Sequence, residues 1–180
     1  TYMTTTDLIE LLPSGWNELT LKDYQNTLDI VFDDENIGDD SLRVLTIADN
    51  MIKVASRLTG INEDAISGLP VQDVSRIVKR LSFIRALPEP LKNPKYKWKT
   101  SFNMSYDDFI NYIQLAEDPL NNLHLIVKSF ITNQLSDDDI LNTPVDELYT
   151  GFFLLKKQLK RHTQITLKSL ILKIAVATIK

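Results

Sequence analysis

The feature that most constrains this chain is a helical unit written twice. Residues 58–84, LTGINEDAISGLPVQDVSRIVKRLSFI, set Asn62 before a short helix-forming run, Gly68 after it, and Pro70 at the head of a longer helix. An Asn side chain accepts the orphan amides of a first turn, Gly ends a helix, and Pro loses nothing at a first helical position, where an N–H would be unpaired anyway. Further along the chain the unit returns. Asp64, Ile66, Pro70, Val71 and Leu81 are matched by identical residues at Asp138, Ile140, Pro144, Val145 and Leu155. Ser136 stands for Asn62, Leu148 for Val74 and Phe152 for Val78. Matching order, caps and prolines point to a duplicated hairpin, with chance likeness between two capped hairpins as the competing explanation.

A second echo aligns Tyr24 with Phe109, Asn26 with Asn111, Leu28 with Ile113 and Asp33 with Asp118. Its offset is longer, as expected if the first copy carries a longer loop and second helix. With only 5 Gly and 7 Pro, and apolar residues recurring at spacings of three and four, the expected fold is mostly α, a helical bundle of two similar halves. A helix is predicted from Thr20, where Thr20 and Asp23 form a capping pair, to about Phe32, with Leu21, Tyr24, Leu28 and Val31 inward. A second runs from Ser41 to Leu58 with Leu42, Leu45, Ala48, Ile52 and Ala55 as its stripe, ended by Gly60. The Pro70 helix gathers Val71, Val74, Val78 and Leu81. Ser105 and Asp108 repeat the cap before Phe109, Ile113 and Ala116, in a helix reaching about Glu117.

These readings divide the chain into an N-terminal half (1–87), a Pro/Lys-rich linker (88–100), a second half carrying the repeat (101–160) and an apolar C-terminal helix (161–180) capped by Thr166, as one compact unit or two tightly packed subdomains. The last helix is apolar on more than one side, so it is either buried or offered to a partner. Alternation in Trp16–Leu21 and again in Lys95–Lys99 suggests two short strands, around 16–21 and 95–102, that pair with each other.

Composition narrows the chemistry. The chain is 43% apolar and 24% charged, a globular profile, and its net charge of -4 argues against a partner recognised through its phosphates. It has no Cys, which excludes disulfides, thiolate nucleophiles and Cys-based zinc sites and fits a reducing compartment. The opening TYMTTTDLIELLP lacks the basic stretch and long apolar core of a secretion signal, and the expected location is cytoplasmic. No run approaches 18 apolar residues; the densest, Leu170 to Val176, is broken by Lys173.

Individual constellations are better explained by structure than by catalysis. DDENIGDDSL places Asp33, Glu35 and Gly38 at calcium-loop positions, but Ile37 and Val44 fall where a ligand and the closing bidentate carboxylate are needed. KNPKYKWKT interleaves Lys92, Lys95, Lys97 and Lys99 with Tyr96 and Trp98. That is either a base-stacking strand or, in an acidic protein more naturally, an exposed edge whose aromatic rings pack inward. His124 and His162 lie far apart with no carboxylate at ligand spacing. Asp137, Asp138 and Asp139 suit a helix start, where acids complement the dipole. With no phosphate loop, nucleophile elbow or zinc-protease helix, no catalytic residue, cofactor or metal is predicted.

The segment LPSGWNELTLKDYQNTLDI, followed by LTGINEDAISGLPVQDVSRIVKRLSFI, resembles tail assembly chaperones and related morphogenesis proteins of tailed bacteriophages, especially those of Bacteroidetes hosts. The likeness rests on Leu12, Pro13, Trp16, Glu18, Leu19 and Thr20, then Gly60, Ile61, Asp64, Ile66 and Leu69, then Leu81 to Ile84, and covers about residues 11–85. It implies a non-enzymatic protein that contacts other virion components, such as tail-tube, tape-measure or neck proteins, in the host cytoplasm during assembly or within the virion. One alternative is a stable part of the neck, tail or capsid interior. Another is a nucleic-acid-binding module using Lys92–Lys99 and the cluster from Lys156 to Arg161. Helical grooves would receive partner helices, with Trp16, Tyr24, Tyr96, Trp98, Leu170 and Ile174 as candidate contact residues.

Overall fold

A computed structural model describes residues 5–30, 37–99, 104–118, 121–158 and 160. Among these the chain is mostly helical: α1 (Thr5–Leu11), α2 (Leu21–Gln25), α3 (Asp40–Thr59), α4 (Glu63–Ser67), α5 (Val71–Leu81) with a 3-10 extension over Ser82–Arg85, α6 (Tyr106–Leu115), α7 (Leu123–Phe130), α8 (Asp137–Leu141) and α9 (145–158). Two compact units result. The first holds the described residues up to Glu89 together with Leu141–Asp146; the second holds those from Pro90 to Ile140 and from Glu147 onward. The predicted C-terminal helix, with Leu170 and Ile174, lies outside the described residues.

Among the described residues, the predicted caps at Thr20, Asn62, Gly60, Ser105 and Ser136 form, while Thr166 lies outside them. Asn62 Oδ1 accepts the Asp64 amide at 2.7 Å, and Gly60 closes α3 in the left-handed conformation at φ 73°. Ser105 and Asp108 make a complete capping box, and Ser136 pairs with Asp139 in the same reciprocal way. The repeated unit recurs as local structure: α4 and α8 are each five residues long, and each leads through a turn and a Pro into a longer helix. Ile66 and Ile140 are buried, as are Leu81 and Leu155.

In the first unit α3 packs against α5 and α4, and α1 against α5. Its core includes Leu8, Leu12, Leu21, Met51, Val54, Ile66, Ile77 and Leu81. Arg80 Nε donates to the Leu12 carbonyl at 2.6 Å and fastens the end of α1 to α5. The helix expected to reach Phe32 stops at Gln25. Thr27 there donates both its amide and its hydroxyl to the Tyr24 carbonyl, a side-chain-assisted turn that competes with helix continuation. Leu21 and Tyr24 are buried as expected, Leu28 is half-buried, and Val31 lies outside the described residues.

Two stripes differ from expectation. In α3 only Ile52 and Ala55 of the predicted set are buried, beside Met51 and Val54, whereas Leu42 and Leu45 are exposed. The packed part of α3 is its second half. In α5 the buried pair is Ile77 and Leu81, while Val71 is 81% exposed.

The expected pairing between 16–21 and 95–102 does not form; each segment finds a different partner. Thr20 bridges Pro144 antiparallel, with the Leu21 amide donating to Thr143 O at 3.0 Å and the Val145 amide to Leu19 O at 3.0 Å. Pro144 therefore occupies the position whose N–H points away from the pairing strand, the place where proline costs no ladder bond. Val145, whose amide meets Leu19 O, is buried here, while its counterpart Val71 is exposed. In the second unit Trp98 bridges Ile131 with the same pattern, through Lys99 N to Phe130 O and Thr132 N to Lys97 O.

Within the stretch read as a linker, residues 91–97 are tied into the second unit. The Leu91 amide donates to Thr150 Oγ1 at 2.8 Å, the Lys95 amide to Glu147 Oε2 at 2.9 Å, and the Lys97 amide to Asn133 Oδ1 at 3.1 Å. Three otherwise orphaned amides are met by side chains on α9 and the loop after α7 of the same unit.

Candidate partner-binding surfaces

The aromatic residues expected to meet a partner are mostly occupied by the fold itself. Trp16 packs edge-on against Tyr24 at 5.2 Å and against Phe83 at 5.3 Å, and Tyr24 is buried. These three rings join the α2 region to the end of α5, with Trp16 itself half-buried. Tyr96 is half-buried with the Lys95 ammonium 5.1 Å from its ring centre. Trp98 is half-buried over α9, where its ring fills the space a side chain at Gly151 would need. Its indole N–H is buried without an acceptor.

In KNPKYKWKT, Tyr96 and Trp98 are half-buried while Lys95 and Lys97 face solvent, the alternation expected of a protected edge. Lys99 is drawn in as well: its ammonium lies 3.3 Å from Asp108 Oδ1 and 5.8 Å from the centre of the Phe130 ring. The second basic cluster, Lys156 to Arg161, falls partly outside the described residues.

The acids likewise have local work. Asp139 accepts the amide and hydroxyl of Ser136, which hold its carboxyl below the usual range, hydroxyl first. Asp108 is lowered chiefly by the Ser105 amide, and Glu18 by the Ser14 amide and hydroxyl. Asp137 pairs with Lys128 at 2.8 Å. Asp39, at the end of the acidic loop, caps α3 through the Leu42 amide at 3.0 Å. His124 is half-buried on α7, and His162 lies outside the described residues. Among the described residues no three His, Asp or Glu side chains converge as metal ligands would, and no helix is long and apolar enough to cross a membrane.

Two clefts lie among the described residues of the first unit. A cleft of about 380 Å³ in the first unit is lined by Asp29, Ile30, Asn50, Lys53, Arg57 and Glu63, and the Arg57–Asp29 ion pair at 3.1 Å lies within it. Its charges alternate in sign, which leaves no focused field for a charged ligand. A smaller one of about 170 Å³ lies between Leu11, Pro13, Glu18 and Leu58.

The surfaces that packing leaves open are helical. On α3, Leu42, Val44 and Leu45 are 55%, 64% and 61% exposed. On α6, Tyr106, Ile110 and Ile113 are 76%, 38% and 47% exposed at i, i+4 and i+7, which is one continuous ridge. The opposite side of α6 is fixed inward by buried Tyr112, edge-on to Phe130 at 5.8 Å and stacked on Phe152 at 6.1 Å. Sequence reasoning missed both surfaces as sites. The three-four spacing of Tyr106, Ile110 and Ile113 was visible, but α6 carries two apolar stripes and periodicity does not say which is covered.

Compared with known proteins, the chain matches no family model, no curated protein and no solved structure.

Proposed function

We propose that the protein is a non-enzymatic binding component of tailed-phage assembly, chaperone-like, which holds other virion proteins through the apolar helix faces it leaves uncovered. The observation that carries this reading is the ridge of Tyr106, Ile110 and Ile113 on a helix whose other side is already packed. A helix apolar on two sides has one face to spend on its own core and one to spend on a partner. The Leu42, Val44 and Leu45 face of α3 supports it in the same sense. The phage assignment comes from the sequence resemblance over residues 11–85.

Co-expression with tail-tube and tape-measure proteins of the same genome tests the reading. Association with either supports a chaperone role, and its presence in purified particles by mass spectrometry favours the alternative of a stable virion component. Failure to associate, together with absence from particles, removes both.

A further inference from the structure

The α6 ridge has a chemical character beyond being apolar. Residues 104–118, MSYDDFINYIQLAED, contain four acids and no Lys or Arg. Asp108 is committed to the capping box and to Lys99. Asp107, Glu117 and Asp118 stay exposed, Asp107 beside the start of the ridge and the other two at its end, where Asp118 also accepts the amide and side-chain N–H of Asn121. On the neighbouring α7, the cation Lys128 is taken up by Asp137. The ridge is thus apolar along its crest and negative at both ends.

Its rigidity matters as much as its charge. The capping box fixes the first turn of α6, and the Tyr112 contacts fix its rotation, so the exposed crest is presented at little entropic cost to a partner.

Resting on the protein-binding reading above, we infer that this face docks an amphipathic helix of a partner protein, apolar on one side and rimmed by Lys or Arg. Leu, Ile or Val side chains of that helix would interleave with Tyr106, Ile110 and Ile113, and its basic rim would face Asp107, Glu117 and Asp118. The charge contributes mainly to association rate and to rejection of acidic helices.

The test uses the full chain, isotopically labelled for NMR, and two synthetic 18-residue amphipathic peptides, one of Leu and Lys and one of Leu and Glu. The Leu/Lys peptide is expected to shift the amides of residues 104–118 selectively and to bind at least about tenfold more tightly than the Leu/Glu peptide, about 1.4 kcal/mol. Tyr106→Ser and Ile113→Asp should each weaken it severalfold with an unchanged melting temperature, both positions being exposed, and Asp107→Asn with Glu117→Gln should flatten its salt dependence. Equal binding of the two peptides, or shifts confined to other faces, overturns the inference. So does concentration-dependent self-association that Ile113→Asp abolishes, which would make the occupant a second copy. Tail proteins that still associate with the Ile113→Asp variant would sink this face while leaving the proposed function intact. Peptide binding without any tail-protein association would do the reverse.

Discussion

The indole of Trp98 occupies the space that a side chain at position 151 would fill, so Gly151 sits in the interior of α9 because a ring takes the place of its Cβ. A Cβ built there would coincide with ring atoms Cε2, Nε1 and Cζ2. Gly151→Ala gains about 1 kcal/mol of helix propensity, but it must displace the ring, an overpacking cost of about 1–3 kcal/mol. The expected result is net destabilisation in thermal or urea unfolding. In a Trp98→Ala background the sign should reverse, leaving the propensity gain alone.

Tyr112 is 4% exposed and its hydroxyl has no partner. Deleting an unsatisfied buried hydroxyl removes a desolvation penalty of about 1–3 kcal/mol, so Tyr112→Phe should raise stability while keeping the contacts with Phe130 and Phe152. Burial also pushes the phenol up to about 12 from its ordinary 10.0. Because the folded value is the higher one, its contribution is intact below pH 10 and is lost as pH rises from there through about 12. Burial raises Tyr149 as well, so phenolate absorbance should show both Tyr112 and Tyr149 titrating late, with only the Tyr112 step lost in Tyr112→Phe, whose alkaline unfolding should be correspondingly shallower.

The capping box makes an acid-side prediction. The Ser105 amide and hydroxyl hold the Asp108 carboxyl below its ordinary 3.8. A lowered folded value means stability present above pH 3.8 and lost as pH falls through the folded value. Ser105→Ala removes the hydroxyl and should cost about 1 kcal/mol at neutral pH, as cap deletions do. Carboxyl NMR titration should then find Asp108 nearer its ordinary value, with less loss of stability on acidification.

Substitutions along α3 should separate its packed half from its open half. Leu42→Ser and Leu45→Ser fall on exposed positions and should change stability by no more than about 0.5 kcal/mol. Met51→Ala, at a position with no exposed surface, should cost about 2–5 kcal/mol. Equal penalties at Leu45 and Met51 in urea unfolding would contradict the burial pattern.

What was legible in the sequence followed from local physics. Asn62, Ser105, Ser136 and Gly60 act within one turn of their own helices, so their roles do not depend on what the helices pack against. The mostly helical fold and the repeated short-helix, proline, long-helix unit were legible for the same reason. What was not legible depends on neighbours. Leu42 and Ile52 belong to one periodic stripe, yet only the second has anything over it. Gly151 reads as a weak spot in a helix until Trp98 is known to reach it. Trp16 and Tyr24 read equally as packing residues and as aromatic anchors, and the sequence does not show that Trp16 meets the Phe83 ring, far along the chain. The α6 ridge was hidden differently: its residues were in view, and only the placement of Tyr112 shows that the other stripe faces inward.

The Thr20–Pro144 bridge bears on how the protein is made. During synthesis the first ninety or so residues leave the ribosome while the segment Leu141–Asp146 is still about 50 residues away, a delay on the order of 3–10 s at about 5–20 residues per second. Through that interval the Leu19 carbonyl and the Leu21 amide, which later meet Val145 and Thr143, form an unpaired edge on the nascent first unit. Until then the edge is open to strand addition by another chain.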